Sequence, residues 1–160
     1  MRIGIDARLT HYTQAGISRY TRQLIEALAR NDTEDQFYVL QSFKSKESLV
    51  EEPNFVRRAL YTPAHHRLEQ LTLPVEISLL GLDVLHSPDF IPPFRRNCRS
   101  VITIHDLNFL LYPQFLTKDA ARYYGQMYQR PPSKIPFACW AFRSTRSPSS
   151  MRRPVLTFSP

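Results

Sequence analysis

Several short stretches in this 160-residue chain carry residue types able to bind or move charge. Ala15-Gly16-Ile17-Ser18-Arg19-Tyr20 lies where a polar loop meets a helical pattern. A helix start offers unpaired N–H groups and the positive end of its dipole, which suit a phosphate, and a glycine lets a diphosphate approach the backbone. A plain turn followed by solvent-facing Ser18 and Arg19 is the other reading. His105-Asp106 follows the apolar run VITI. A histidine at a strand's carboxyl edge can bind a substrate hydroxyl or shuttle a proton, and Asp106 would orient it or cap the next turn. His86-Ser87-Pro88-Asp89 ends a second apolar run and would line the same cleft edge, although turn formation explains Ser-Pro-Asp equally well. His65-His66 has no histidine or cysteine partner at metal spacing and reads as surface. Asp6 ends the first strand and would brace the loop after it.

The elements that must position these residues follow from periodicity. Residues 2–7 read as a buried first strand, followed by a polar loop from Arg8 to Gln14. Ile17, Tyr20, Leu24, Ile25 and Leu28 recur at helical spacing, and Asn31-Asp32 is a stop. Further strands are expected at 36–42, 54–60, 83–87 and 100–106, with Lys44 to Glu52 a short exposed helix or loop. Between 64 and 81, Leu68, Leu71, Val75, Leu79 and Leu80 follow helical spacing. Pro74 should kink that stretch or divide it into two helices. Phe90 to Arg99, with Pro92-Pro93, is a connection, and Thr117 can cap a helix from Lys118 that carries Tyr123-Tyr124. Strands alternating with helices in this order predict an α/β fold, a Rossmann-like parallel sheet covered on both faces. Ligands bind beyond the carboxyl ends of such strands, so the loops Arg8–Arg19, His86–Arg96 and His105–Pro113 should matter most.

Composition narrows the classes. With 42% hydrophobic and 12% aromatic residues, a wholly disordered chain is excluded. The longest run free of charge and histidine, Leu107–Thr117, has eleven residues. Crossing a bilayer takes ~20, so no transmembrane segment is expected. MRIGIDAR carries Asp6 and no long apolar stretch, unlike a secretory signal. Cys98 and Cys139 make a poor disulfide framework and fit a reducing cytoplasm. No G-x-G-x-x-G or Walker pattern exists, so dinucleotide and P-loop readings fail. The net charge of +7 divides unevenly: residues 1–128 hold 15 basic and 14 acidic side chains, whereas residues 129–160 hold six basic and no acidic ones. The basicity therefore belongs to the tail. That tail also has six prolines, six serines and no glycine, which neither a helix nor a strand accommodates.

RIGIDAR, AGISRYTRQLIEAL, DVLHSPDFIPP and SVITIHDLNFLLYPQFLT, in this order and spacing, resemble the N-terminal half of family 4 glycosyltransferases. The resemblance covers residues 1–128. It implies two Rossmann-like domains facing a cleft, the GT-B arrangement, and retaining transfer of a hexosyl-type sugar from a nucleotide-sugar donor. The expected acceptor is a lipid-linked sugar or a cell-envelope polysaccharide. By motif, Gly16, Ile17 and Ser18 would lie at the donor diphosphate, and His105 would approach the donor sugar on a loop held by Asp106. His86 and Asp89 would line the acceptor side. No metal or other cofactor is implied, because basic side chains and helix starts stabilise the diphosphate leaving group. The expected location is the cytoplasm or the inner face of the membrane, with peripheral association and no specific nucleic acid.

The family carries a second domain with a paired-glutamate motif that this sequence does not contain, and its pattern stops at residue 128. The expectation is a truncated or frameshifted product, inactive alone, with 129–160 a disordered or out-of-frame tail. Two other classes compete with the enzyme: a non-catalytic Rossmann-like binding domain, and a protein that binds DNA or an anionic membrane nonspecifically through its basic tail.

Overall fold

The computed structural model of the chain describes residues 1–66, 68–89 and 92–105, together with Gln114. Among these, five strands form one parallel sheet: β1 (Arg2–Asp6), β2 (Gln36–Ser42), β3 (Phe55–Leu60), β4 (Val84–Ser87) and β5 (Arg99–Ile102). Their spatial order is β3-β2-β1-β4-β5. The sheet thus grows outward in both directions from β1, the order of a doubly wound Rossmann-type fold. Two helices accompany it, α1 (Gly16–Asn31) and α2 (Glu69–Ser78), and a 3-10 turn spans Arg8–His11.

β2 is buried almost throughout because both of its faces are covered, whereas β3 and β5 carry Arg57, Arg58 and Arg99 at less buried positions. In β2, Phe37 and Val39 join Ile5, Ala7, Ile25 and Phe55 in one cluster with α1. Tyr38 and Leu40 point the other way, into a cluster with Leu60, Leu73, Ile77, Leu82 and Leu85 that packs α2. Gly4 in β1 lies under this second cluster: a Cβ there would stand 2.5 Å from Leu82 Cδ1 and 3.2 Å from Leu85 Cδ1. Both leucines are buried and have little room to retreat. Gly4→Ala is therefore expected to cost about 1–3 kcal/mol through overpacking, read as a lowered urea midpoint with unchanged slope.

The expected alternation is observed, with differences of local cause. Residues 44–52 form no regular element, which agrees with the loop alternative, but the 3-10 turn occupies part of the stretch from Arg8 to Gln14 expected to be loop. β5 ends at Ile102, so His105 lies three residues past the strand rather than on its edge. One helix includes Pro74 and is not divided there into two. The face of α2 is also reversed. Leu68, Leu71, Val75 and Leu79 are exposed, the last at 85%, while Glu69, Leu73 and Ile77 are buried. Of the apolar residues picked out by spacing, Leu80 alone packs against the core. The helix expected from Lys118, with its tyrosine pair, and the whole of 129–160 lie outside the described residues. Among the described residues, no helix is long and apolar enough to cross a membrane.

Candidate functional site

The carboxyl ends of β1, β4 and β5 bring two polar clusters side by side. The first is built on Arg8, which begins the 3-10 turn just after β1 and is only 2% exposed. Its Nε donates to Asp6 Oδ1 at 2.9 Å, and its Nη2 donates to Asp6 Oδ2 at 2.7 Å and to Glu69 Oε1 at 2.5 Å. Nη1 donates to the carbonyl of Thr62 at 3.0 Å. Asp6 also accepts the backbone N–H of Arg8, so it braces the loop as expected of it. Burial would raise the Asp6 carboxyl, but the Arg8 guanidinium overrides this and holds it below its ordinary value. At Glu69 burial wins over Arg8, and that carboxyl is raised. Arg8 is likewise held charged: burial disfavours its cation, and Asp6 and Glu69 more than compensate.

Glu69 carries the chain of contacts onward. Its Oε2 accepts the backbone N–H of His65 at 2.8 Å, and His65 Nε2 lies 2.5 Å from Asp89 Oδ2. His65 has φ +60°, the left-handed region that side chains other than glycine rarely adopt. Its two anchored ends hold it there. His65 is thus no idle surface residue: it ties the approach to α2 to the turn after β4. The hydrogen bond that His65 Nε2 donates to the Asp89 carboxylate, against an opposing effect of burial, raises the His65 pKa above the ordinary ~6.5. A raised folded-state value means that the imidazolium stabilises the fold below the ordinary value and loses this effect as pH rises through the raised one. Accordingly, the difference in Tm between the natural chain and His65→Asn, which keeps a residue tolerant of the left-handed region, should be largest in mild acid and shrink at alkaline pH. A pH-independent difference would show that the pair does not titrate.

The second cluster contains the histidines singled out by sequence. His86 Nε2 lies 2.9 Å from Thr103 Oγ1, which is also 3.4 Å from the hydroxyl of Tyr20. Burial drives the His86 pKa down to about 4, so its ring is neutral at pH 7 and serves as a hydrogen-bonding group. His105 Nε2 lies 2.8 Å from the carbonyl of Pro88. A carbonyl only accepts, so Nε2 is the donor in this contact. The His105 ring meets Tyr20 edge-on, centroids 5.0 Å apart. Tyr20 is one turn along α1 from Gly16, so the helix start and His105 flank the same edge of the sheet. Asp106 lies outside the described residues.

At the helix start itself, no side chain caps α1, whose first turn holds no acidic residue. A Cβ at Gly16 would meet nothing within 4 Å, so the fold of this lobe does not require glycine there. The Ser18 hydroxyl is committed to the carbonyl of Leu9 at 3.1 Å, and the residue is buried. Ile17 lines a narrow recess beside the first cluster with Asp6, Arg8, His65, Ser87 and Asp89. This recess has about 20 Å³ of room, enough for one water or one hydroxyl and far too little for a sugar ring. Ser87 Oγ is buried and finds no partner among the described residues. Among the described residues there is also no group of three or more His, Cys, Asp or Glu side chains able to hold a metal ion.

Sequence reasoning did not single out Arg8, Glu69, Tyr20 or Thr103 as site residues. Glu69 stands four and eight residues before Leu73 and Ile77, but spacing alone does not tell that stripe from the one carrying Leu71, Val75 and Leu79. No protein-family model, no curated protein and no solved structure matches this chain.

Proposed function

We propose that this lobe is the acceptor-side half of a retaining GT-B glycosyltransferase of the family 4 type. It would form one wall of a cleft in which a sugar leaves a nucleoside diphosphate for a hydroxyl of a glycan or lipid-linked acceptor. The observation that carries the reading is the convergence of the uncapped start of α1 with His105 through Tyr20, at the carboxyl edge of the sheet. An uncapped helix start with a dispensable glycine suits the diphosphate. His105, with Nε2 fixed on Pro88, turns a defined ring toward the donor sugar, and Asp106 follows it in the loop. His86, neutral and held by Thr103, and Asp89, held by His65, would face the acceptor as hydrogen-bonding groups. Transfer needs donor and acceptor held together in a closed cleft, so this wall by itself should not turn over.

Titration of the chain with UDP-glucose and GDP-mannose, followed by amide NMR, tests the proposal. Weak, millimolar shifts centred on Gly16–Ser18 and His105 are expected. If these amides stay still while the chain binds DNA in a salt-dependent way that deletion of 129–160 abolishes, the chain is an anion binder and not a transferase lobe.

A further inference from the structure

On the far side of the 3-10 turn lies a second cleft, and it is the larger by far, with about 640 Å³ of room, within the span of small-molecule sites. One wall is residues 10–14, the other residues 45–49, and Gln41 at the end of β2 forms part of its lining. The walls are tied together: His11 Nδ1 lies 3.1 Å from Ser45 Oγ, and Gln41 Nε2 donates to the carbonyl of Glu47 at 3.1 Å. Two observations say what would fill it. Gln41 is 1% exposed, and its Oε1 has no hydrogen-bond partner among the described residues. A buried acceptor left unmet is costly, so a ligand that brings a hydroxyl to it gains what the free lobe forgoes. The lining also carries Arg22 and Lys46 against the single carboxylate of Glu47, and none of these three is in an ion pair among the described residues. The remaining lining is chiefly hydroxyl and amide, with Leu49 the one aliphatic side chain.

We propose that this cleft binds an acidic sugar, a ligand whose hydroxyls meet Gln41 and whose negative charge meets Arg22 and Lys46. A bare anion has no proton to give Gln41 Oε1, and a neutral sugar leaves the two cations unanswered. The inference stands on this cleft alone, whether or not the neighbouring edge transfers sugar.

The test is a titration of the full chain with glucuronate, glucose and sulfate, with amide NMR reporting on residues 10–14 and 45–49. Glucuronate should saturate these shifts at a Kd about tenfold lower than glucose or sulfate, the worth of one added charged hydrogen bond. Lys46→Gln, at an exposed position, should remove most of that advantage over glucose without moving the Tm. Gln41→Leu should remove the advantage over sulfate, and if that variant does not fold, Arg22→Gln and Lys46→Gln carry the test. Sulfate binding as tightly as glucuronate would mark a simple anion site, and absence of saturation by glucuronate would mark no site; either overturns the proposal. Failure here leaves the shifts at Gly16–Ser18 and His105 untouched, so the two readings fall separately.

Discussion

Arg8→Met should cost about 3–5 kcal/mol of folding stability, the range seen when one partner of a buried ion pair is removed. For a small domain whose whole stability is about 5–15 kcal/mol, that is a large share. The guanidinium is buried and answers three oxygen-bearing groups at once: the carboxylates of Asp6 and Glu69 and the carbonyl of Thr62. Methionine fills much of the volume but leaves two carboxylates facing each other with no cation between them. Lysine would restore the charge without the planar fork, so Arg8→Lys should recover only part of the loss. The deficit also has a pH signature. In the natural chain Asp6 is held low, so its stabilising effect is lost as pH falls through that depressed value. In Arg8→Met the stranded carboxyls are raised, and acid relieves them. Both changes shrink the difference as pH falls below the ordinary carboxylate range. Urea unfolding followed by circular dichroism at neutral and mildly acid pH measures it, and a loss below about 1 kcal/mol at neutral pH would show that the network is not a buried one.

The two sides of α2 should respond in opposite ways to the same change. Leu73→Ala removes a buried side chain from the cluster with Leu85 and Ile77 and should cost about 2–5 kcal/mol. Leu79→Ala, at 85% exposure, should stay within about 0.5 kcal/mol. Sequence spacing alone expects the reverse, so this pair of substitutions tests the orientation of the helix directly. The orientation matters for the site: the rotation that buries Leu73 and Ile77 also turns Glu69 inward onto Arg8 and His65. Comparable losses at both positions would mean that the exposed face is covered in solution.

The contrast shows where local pattern stops being informative. α2 is apolar on both sides, with Leu71, Val75 and Leu79 on one and Leu73 and Ile77 on the other, so periodicity offers two answers and no means of choosing. α1 is similar on a smaller scale: its buried positions include Ser18 and Thr21, whose hydroxyls are satisfied by the carbonyls of Leu9 and Ile17. Hydrophobicity does not register such residues. His65 went unrecognised for a different reason. Its partner Asp89 is 24 residues away and meets it only because β4 ends beside the start of α2.

What the sequence by itself determined is the alternation of strands and helices, and with it a parallel sheet whose polar residues gather at one edge. The short apolar stretches of the strands and a helix with a stop at Asn31-Asp32 are local features, fixed by the chemistry of neighbouring residues. The tertiary structure alone decided which side of α2 is buried, that Arg8 stands between Asp6 and Glu69, and that the roomy cleft lies between residues 10–14 and 45–49. Each of these depends on groups brought together from distant parts of the chain, 61 residues apart for Arg8 and Glu69. Burial then multiplies the energy of such contacts by removing the water that would otherwise screen them.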